Sequence, residues 1–159
     1  MKSLALVALL AALLLPSAAF AAASRGDAPE LDLPTAAGSS VSLAALKGKP
    51  VYLSFFATWC GPCNDEAPAL EATAKRFQSS GLAVVGVDEE ESAAKAAAFA
   101  GKYGLTYPIA LDVDGDSGDD FHVYATPTNV FINRDGSISS VHVGEMTPAE
   151  ITAAVKNVL

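Results

Sequence analysis

Cys60 and Cys63 are the only cysteines in this 159-residue chain, and they stand in the run Trp59-Cys60-Gly61-Pro62-Cys63. An apolar run precedes them and an amphipathic one follows, so the pair falls where a strand hands over to a helix. A helix that begins between two thiols offers them unpaired backbone N–H groups and a partial positive charge, and both favour thiolate over thiol. Thiolate is the attacking species in disulfide exchange, and C-x-x-C settings commonly bring a cysteine pKa into roughly 3.5–7.5. A purely structural bridge closing so short a loop would constrain the unfolded chain little. A structural zinc site needs four ligands, and only His122 and His142 remain to join the thiols as nitrogen donors. The pair therefore reads as redox-active, with a copper or zinc carrier using the same two cysteines as the competing reading.

The first residues bear on the compartment. Lys2 is followed by an apolar stretch over 4–15, then Pro16 and Ser17, then the small-x-small run Ala19-Phe20-Ala21. This is the pattern of an export signal. We expect residues 1–21 to be a signal peptide cleaved near Ala21, 22–27 a linker, and 28–159 one domain. An uncleaved membrane anchor is the alternative. Export places the thiols in a disulfide-permissive space, expected to be the periplasm. A formal net charge of −8 argues against nucleic acid and anionic membrane surfaces as partners.

Along the domain, Leu31-Asp32-Leu33 and Val41-Ser42-Leu43 alternate by two around a segment containing Gly38, which predicts a β-hairpin. The near-continuous apolar run over 51–56 predicts a strand buried on both faces. From Cys63 the period becomes helical, with Ala67, Leu70, Ala74 and Phe77 on one stripe, Glu71 and Lys75 outside it, and Gly81 as the stop. A second buried strand is predicted over 82–87. A helix follows from Ser92 to Tyr103 with Ala93, Ala96, Ala97 and Ala100 inward, then a short strand over 107–111 and a short helix over 119–124. Two strands over 130–132 and 138–143 flank Asn133-Arg134-Asp135-Gly136. A capping box, Thr147-Pro148-Ala149-Glu150, opens a last helix that turns Ile151, Ala154, Val155 and Val158 to the core. This order implies an α/β domain with a central mixed sheet flanked by helices.

The motif Phe55-Phe56-Ala57-Thr58-Trp59-Cys60-Gly61-Pro62-Cys63, with Pro68 and then Ala125-Thr126-Pro127-Thr128, resembles the TlpA/ResA-like branch of exported thioredoxin-fold oxidoreductases. The lead-ins Ala28-Pro29-Glu30-Leu31-Asp32-Leu33 and Leu46-Lys47-Gly48-Lys49-Pro50 are similar to that branch, and the resemblance runs from Ala28 to the end. It implies a thioredoxin-like fold with an N-terminal β-hairpin and an extra helix–strand insertion. It further implies a Cys60–Cys63 redox-active disulfide, with Cys60 the more exposed nucleophile and Cys63 the resolving thiol. By the same resemblance Glu66 is the proton acceptor for Cys63, and Pro127 is a cis-proline facing the disulfide. Thr126 then offers its backbone to a partner, with Trp59 as a further contact. Where plain thioredoxins carry a buried aspartate before the motif, this chain has Ser54, which cannot take a proton.

The function expected is reduction of disulfides in exported partner proteins, by a monomer that needs no cofactor or metal and is recharged by a membrane thiol electron donor. A thiol peroxidase is a second enzymatic alternative. Its usual P-x-x-x-T-x-x-C setting is missing, since Leu53 and Ala57 stand in those positions before Cys60. Asp112-Val113-Asp114-Gly115-Asp116 has its glycine two places early for an EF-hand, and Val123 stands where the closing glutamate belongs, so it reads as a solvated loop.

Overall fold

A computed structural model describes residues 26–159. The segment read as a signal peptide lies outside the described residues.

Strands β1 (Asp32–Pro34) and β2 (Ser40–Ser42) pair antiparallel as the expected hairpin, with Leu33 opposite Val41. A 3-10 turn at Ala44–Leu46 leads into β3 (Val51–Phe56), all six residues of which are buried. Helix α1 (Gly61–Phe77) begins within the thiol motif and contains Pro68, and Gly81 in the left-handed region turns the chain back. Then come β4 (Ala83–Glu89), α2 (Ala93–Tyr103), β5 (Ile109–Asp112), α3 (Asp116–Asp120), β6 (Thr128–Ile132), β7 (Ile138–Val143) and α4 (Pro148–Val158).

Five strands form one mixed sheet in the order β5-β4-β3-β6-β7. β3, β4 and β5 are parallel, whereas β6 runs antiparallel to β3 and β7 antiparallel to β6. Alternation along β3 divides the core. Leu53 and Phe55 face a cluster with Val85, Val87, Val130, Leu31 and Phe121, against which the N-terminal hairpin packs. Tyr52 faces α1 and α4 through Leu70, Phe77, Ile151 and Val155, and Phe56 faces α2 through Ala96 and Phe99. At roughly 1.5–3 kcal/mol per buried large apolar side chain, these two faces supply the main drive for folding. The segment read as a linker is tied down at its end, because Asp27 bridges Ser137 and Ile138 N–H donates to the Gly26 carbonyl.

Three local expectations need correction. The inward face of α2 is Ala96 and Phe99, with Ala100 half-buried, while Ala93 and Ala97 are exposed. The small alanines gave no sign of which stripe would pack; the large Phe99, set between Phe56 and Tyr103, decides it. Helix α3 starts three residues earlier than expected, because the buried Asp112 carboxylate accepts from Ser117 N–H and Gly118 N–H and so nucleates the turn from outside it. Glu71 is buried rather than outward. It holds Lys75 at 2.9 Å as expected, and it also accepts from the N–H and hydroxyl of Thr106. The capping box at Thr147 and Glu150 forms as expected, with both reciprocal hydrogen bonds present.

Candidate active site

The site lies at the C-terminal end of β3, where the chain leaves a fully buried strand and enters α1. Cys60 is the N-cap of α1, in extended conformation, and its Sγ accepts from Cys63 N–H at 3.2 Å. The two cysteines are joined in a disulfide with their Cα atoms 5.2 Å apart. Cys60 was expected to be the more exposed, but in this oxidised pair the two are 5% and 4% exposed. Exposure does not distinguish them here. Helix position does: Cys60 is the N-cap of α1 and its sulfur receives the Cys63 N–H, while Cys63 lies within the first turn.

Facing the disulfide is the Thr126–Pro127 peptide, which is cis, with the Thr126 carbonyl 3.5 Å from Cys60 Sγ. Pro127 is buried and Thr126 half-buried, whereas Trp59 is 76% exposed beside them. The residues expected from the sequence to touch a partner are therefore together at one surface.

Two side chains hold the thiol loop, and sequence reading passed over both. Glu91, buried, accepts from the N–H and hydroxyl of Thr58 and pairs with Lys95 at 3.0 Å. Asn64 donates to the Thr58 carbonyl at 3.0 Å and the Cys60 carbonyl at 2.7 Å, while its Oδ1 accepts from Tyr103 hydroxyl at 2.6 Å and Lys102 Nζ at 3.0 Å. The inserted helix α2 thus reaches the active-site loop from both of its ends. Sequence offered one faint signal, a polar residue immediately after Cys63. The partners of Asn64 Oδ1, Lys102 and Tyr103, lie 38 and 39 positions away, and no local pattern shows that.

Glu66 is only 2% exposed, so it is not a solvated first-turn acid. Asn129 Nδ2 donates to its Oε1 at 2.9 Å and Met146 N–H to the same oxygen at 2.8 Å, and Tyr52 hydroxyl in turn donates to Asn129 Oδ1 at 2.8 Å. Burial pushes the Glu66 carboxyl above the usual carboxylate range, against the lowering effect of those two donors. Ser54, Cys63 and Glu66 line one small cavity of about 10 Å³, close to the least that holds a water molecule. Cys63 and the acid are thereby served by a common space, and the serine that replaces the usual aspartate opens onto it.

A second buried acid adjoins the loop. Asp88, opposite Phe56 in the register, is fully buried, and neither of its carboxyl oxygens has a donor. Burial first, then the neighbouring Glu91 carboxylate, pushes its pKa up to about 7. The folded protein therefore binds a proton here that the unfolded chain releases near pH 4. Stability from this proton is whole below about pH 4 and is lost as pH rises through about 7, amounting to at most about 4 kcal/mol. Asp88→Asn is expected to raise the melting temperature at pH 8 and to flatten its decline between pH 5 and pH 8. Thermal unfolding followed by circular dichroism checks this, and a variant with the wild-type slope would assign the pH dependence elsewhere. Glu89, pushed up to about 7 by burial, Asp112 and Glu90, acts in the same direction.

The fold and the paired thiols define a class, the thioredoxin-fold proteins with a dithiol–disulfide centre. Residues 25–141 match the AhpC/TSA family. The chain is 42% identical over 128 residues to the thioredoxin-like protein YneN of Bacillus subtilis, covering 79% of this chain and 74% of that one. It is 38% identical over 125 residues to the thiol-disulfide oxidoreductase ResA of the same organism, covering 79% and 70%. A crystal structure of a thiol:disulfide interchange protein of the thioredoxin family from Chlorobium tepidum superposes with a TM-score of 0.78 at 30% identity, over 86% of this chain and 97% of that one. The chain belongs to the AhpC/TSA family, and it is a ResA-like thiol–disulfide oxidoreductase.

Among the described residues, no group of three or more histidine, cysteine or acidic side chains is placed to hold a metal ion, and no helix is long and apolar enough to cross a membrane.

Proposed function

We propose that the protein works as a reductant of disulfides in exported proteins, with Cys60 as nucleophile and Cys63 as resolving thiol. The observation that carries this is the Cys60 sulfur at the N-cap of α1, accepting Cys63 N–H and lying 3.5 Å from the Thr126 carbonyl. In the first step the Cys60 thiolate attacks one sulfur of a partner disulfide. A mixed disulfide forms, the partner's bond breaks, and its second sulfur leaves as a thiolate that takes up a proton. Cys63 then loses its proton to Glu66 through their shared cavity and attacks Cys60. The mixed disulfide breaks, the partner leaves with two thiols, and the Cys60–Cys63 pair is left oxidised by two electrons.

During this sequence the backbone of Thr126, beside the buried Pro127, offers its polar groups to the partner segment, and Trp59 lies against it. The export-signal pattern over residues 1–21 supports work in the periplasm. That the chain has only two cysteines, and so no further pair to relay electrons internally, supports recharging by a membrane thiol donor, and we read the protein as a monomer.

Gly61-Pro62 supports the reducing direction, being the dipeptide of reducing thioredoxins, whose potential is about −270 mV against roughly −120 mV for a strong periplasmic oxidant. Equilibration of the pair against glutathione buffers is expected to give a value nearer the first. A potential as high as about −150 mV would overturn the reductant reading and favour an oxidase.

A further inference from the structure

Beside the disulfide lies a groove of about 360 Å³ whose lining includes Trp59, Glu89, Glu90, Asp119, Tyr124 and Thr126. Thr126 joins it to the reacting sulfur, since its carbonyl is 3.5 Å from Cys60 Sγ. Three of the lining residues are carboxylates, and none is Lys, Arg or His. Neither salt bridge found among the described residues involves them. Two large aromatic residues stand open to solvent at the same groove, Trp59 at 76% and Tyr124 at 84% exposure.

The acids are seated by the backbone opposite. A Cβ on Gly118 would meet Glu89 Oε1 at 2.5 Å, and one on Gly115 would meet Glu90 Oε1 at 3.2 Å. Gly115 has φ +76°, which already favours glycine, but Gly118 lies in a helix where any residue would otherwise fit. Glycine there leaves room for the Glu89 carboxylate, which a side chain at that place would push aside. Glu89 is half-buried, and the Asp112 and Glu90 carboxylates add repulsion to the cost of its burial. A cation placed in the groove would relieve both effects, and the two aromatic faces offer it a further attraction.

We propose that this groove selects partner disulfides flanked by Lys or Arg in an extended segment, the cation lying among Glu89, Glu90 and Asp119 and its stem against Trp59 or Tyr124. This rests on the reading that Cys60 attacks the partner's disulfide, and it adds the substrate class. The negative field also steers such segments to the sulfur before contact, so the effect belongs mainly to the rate of capture.

The test uses three synthetic disulfide-bonded peptides that differ at one position two residues from the bond, carrying Lys, Ala or Glu. Their rates of exchange with the reduced full-length protein are measured at low salt and at 0.5 M sodium chloride. The Lys peptide is expected to react about tenfold faster than the Ala peptide at low salt and the Glu peptide more slowly, with the spread collapsing at high salt. In the Glu90→Gln/Asp119→Asn double variant the Lys-to-Glu rate ratio is expected to fall towards one. Equal rates for the three peptides, or a ratio unchanged in the double variant, would overturn the proposal. Reduced protein that exchanges with none of the peptides would instead count against attack by Cys60. Fluorescence anisotropy of labelled peptides with the oxidised protein then decides the groove separately: tighter binding of the Lys peptide than the Glu peptide supports it, and equal binding refutes it.

Discussion

Cys60→Ser is expected to abolish insulin reduction and the capture of partner proteins altogether, whereas Cys63→Ser is expected to abolish turnover while accumulating mixed disulfides. The asymmetry follows from position on α1. Cys60 is the N-cap, whose sulfur receives the Cys63 N–H, while Cys63 lies inside the first turn and lines the cavity it shares with Glu66. Without Cys63 the first attack still proceeds, but nothing resolves it, so the partner stays attached. Non-reducing electrophoresis of periplasmic extracts reads the outcome directly. Capture by the Cys60→Ser protein and none by Cys63→Ser would reverse the roles.

Glu66→Gln is expected to keep the fold and slow the resolving step on the order of a hundredfold near neutral pH. Glutamine's Oε1 still accepts from Asn129 Nδ2 and Met146 N–H, so what is lost is the ability to take a proton. Glu66→Leu is the contrasting variant. It leaves both buried donors without an acceptor, at about 1–3 kcal/mol each, so it should lower stability where Gln does not. Burial raises the Glu66 carboxyl, so the wild-type pH–rate profile should carry a step above the usual carboxylate range that the Gln variant lacks. The thiols and the acid titrate as a coupled set, so the comparison is between whole profiles. Superimposable profiles for wild type and Glu66→Gln would make Glu66 a structural bridge between α1, β6 and the start of α4.

The site and the frame around it differ in how readily they are read. The buried run of β3, the helix after the thiols, the Asn133–Gly136 turn and the capping box at Thr147 are all encoded by residues within a few positions of one another. Each appears in the structure within a residue or two of its expected place. The N-terminal hairpin and the α2–β5 insertion, implied by resemblance, are present as well. The inward face of α2 was misjudged because four alanines carry almost no packing information, and α3 was displaced because Asp112, outside the helix, starts it.

What sequence by itself determined is the chemistry: two thiols with two residues between them at a strand-to-helix junction, and no others in the chain. Bond closure and thiolate activation at such a pair are local matters, settled by a turn of backbone. Tertiary structure alone decided the environment of that pair. Glu66 became a buried acid because Asn129 of β6 and Met146, just ahead of the N-cap of α4, supplied its two donors, and Asp88 became a carboxyl without a donor because the sheet closed over it. The grip of Asn64 and Glu91 on the thiol loop likewise joins residues four to thirty-nine positions apart. Burial and partner distance are properties of the packed chain, and they set the proton affinity of each acid more strongly than its identity does.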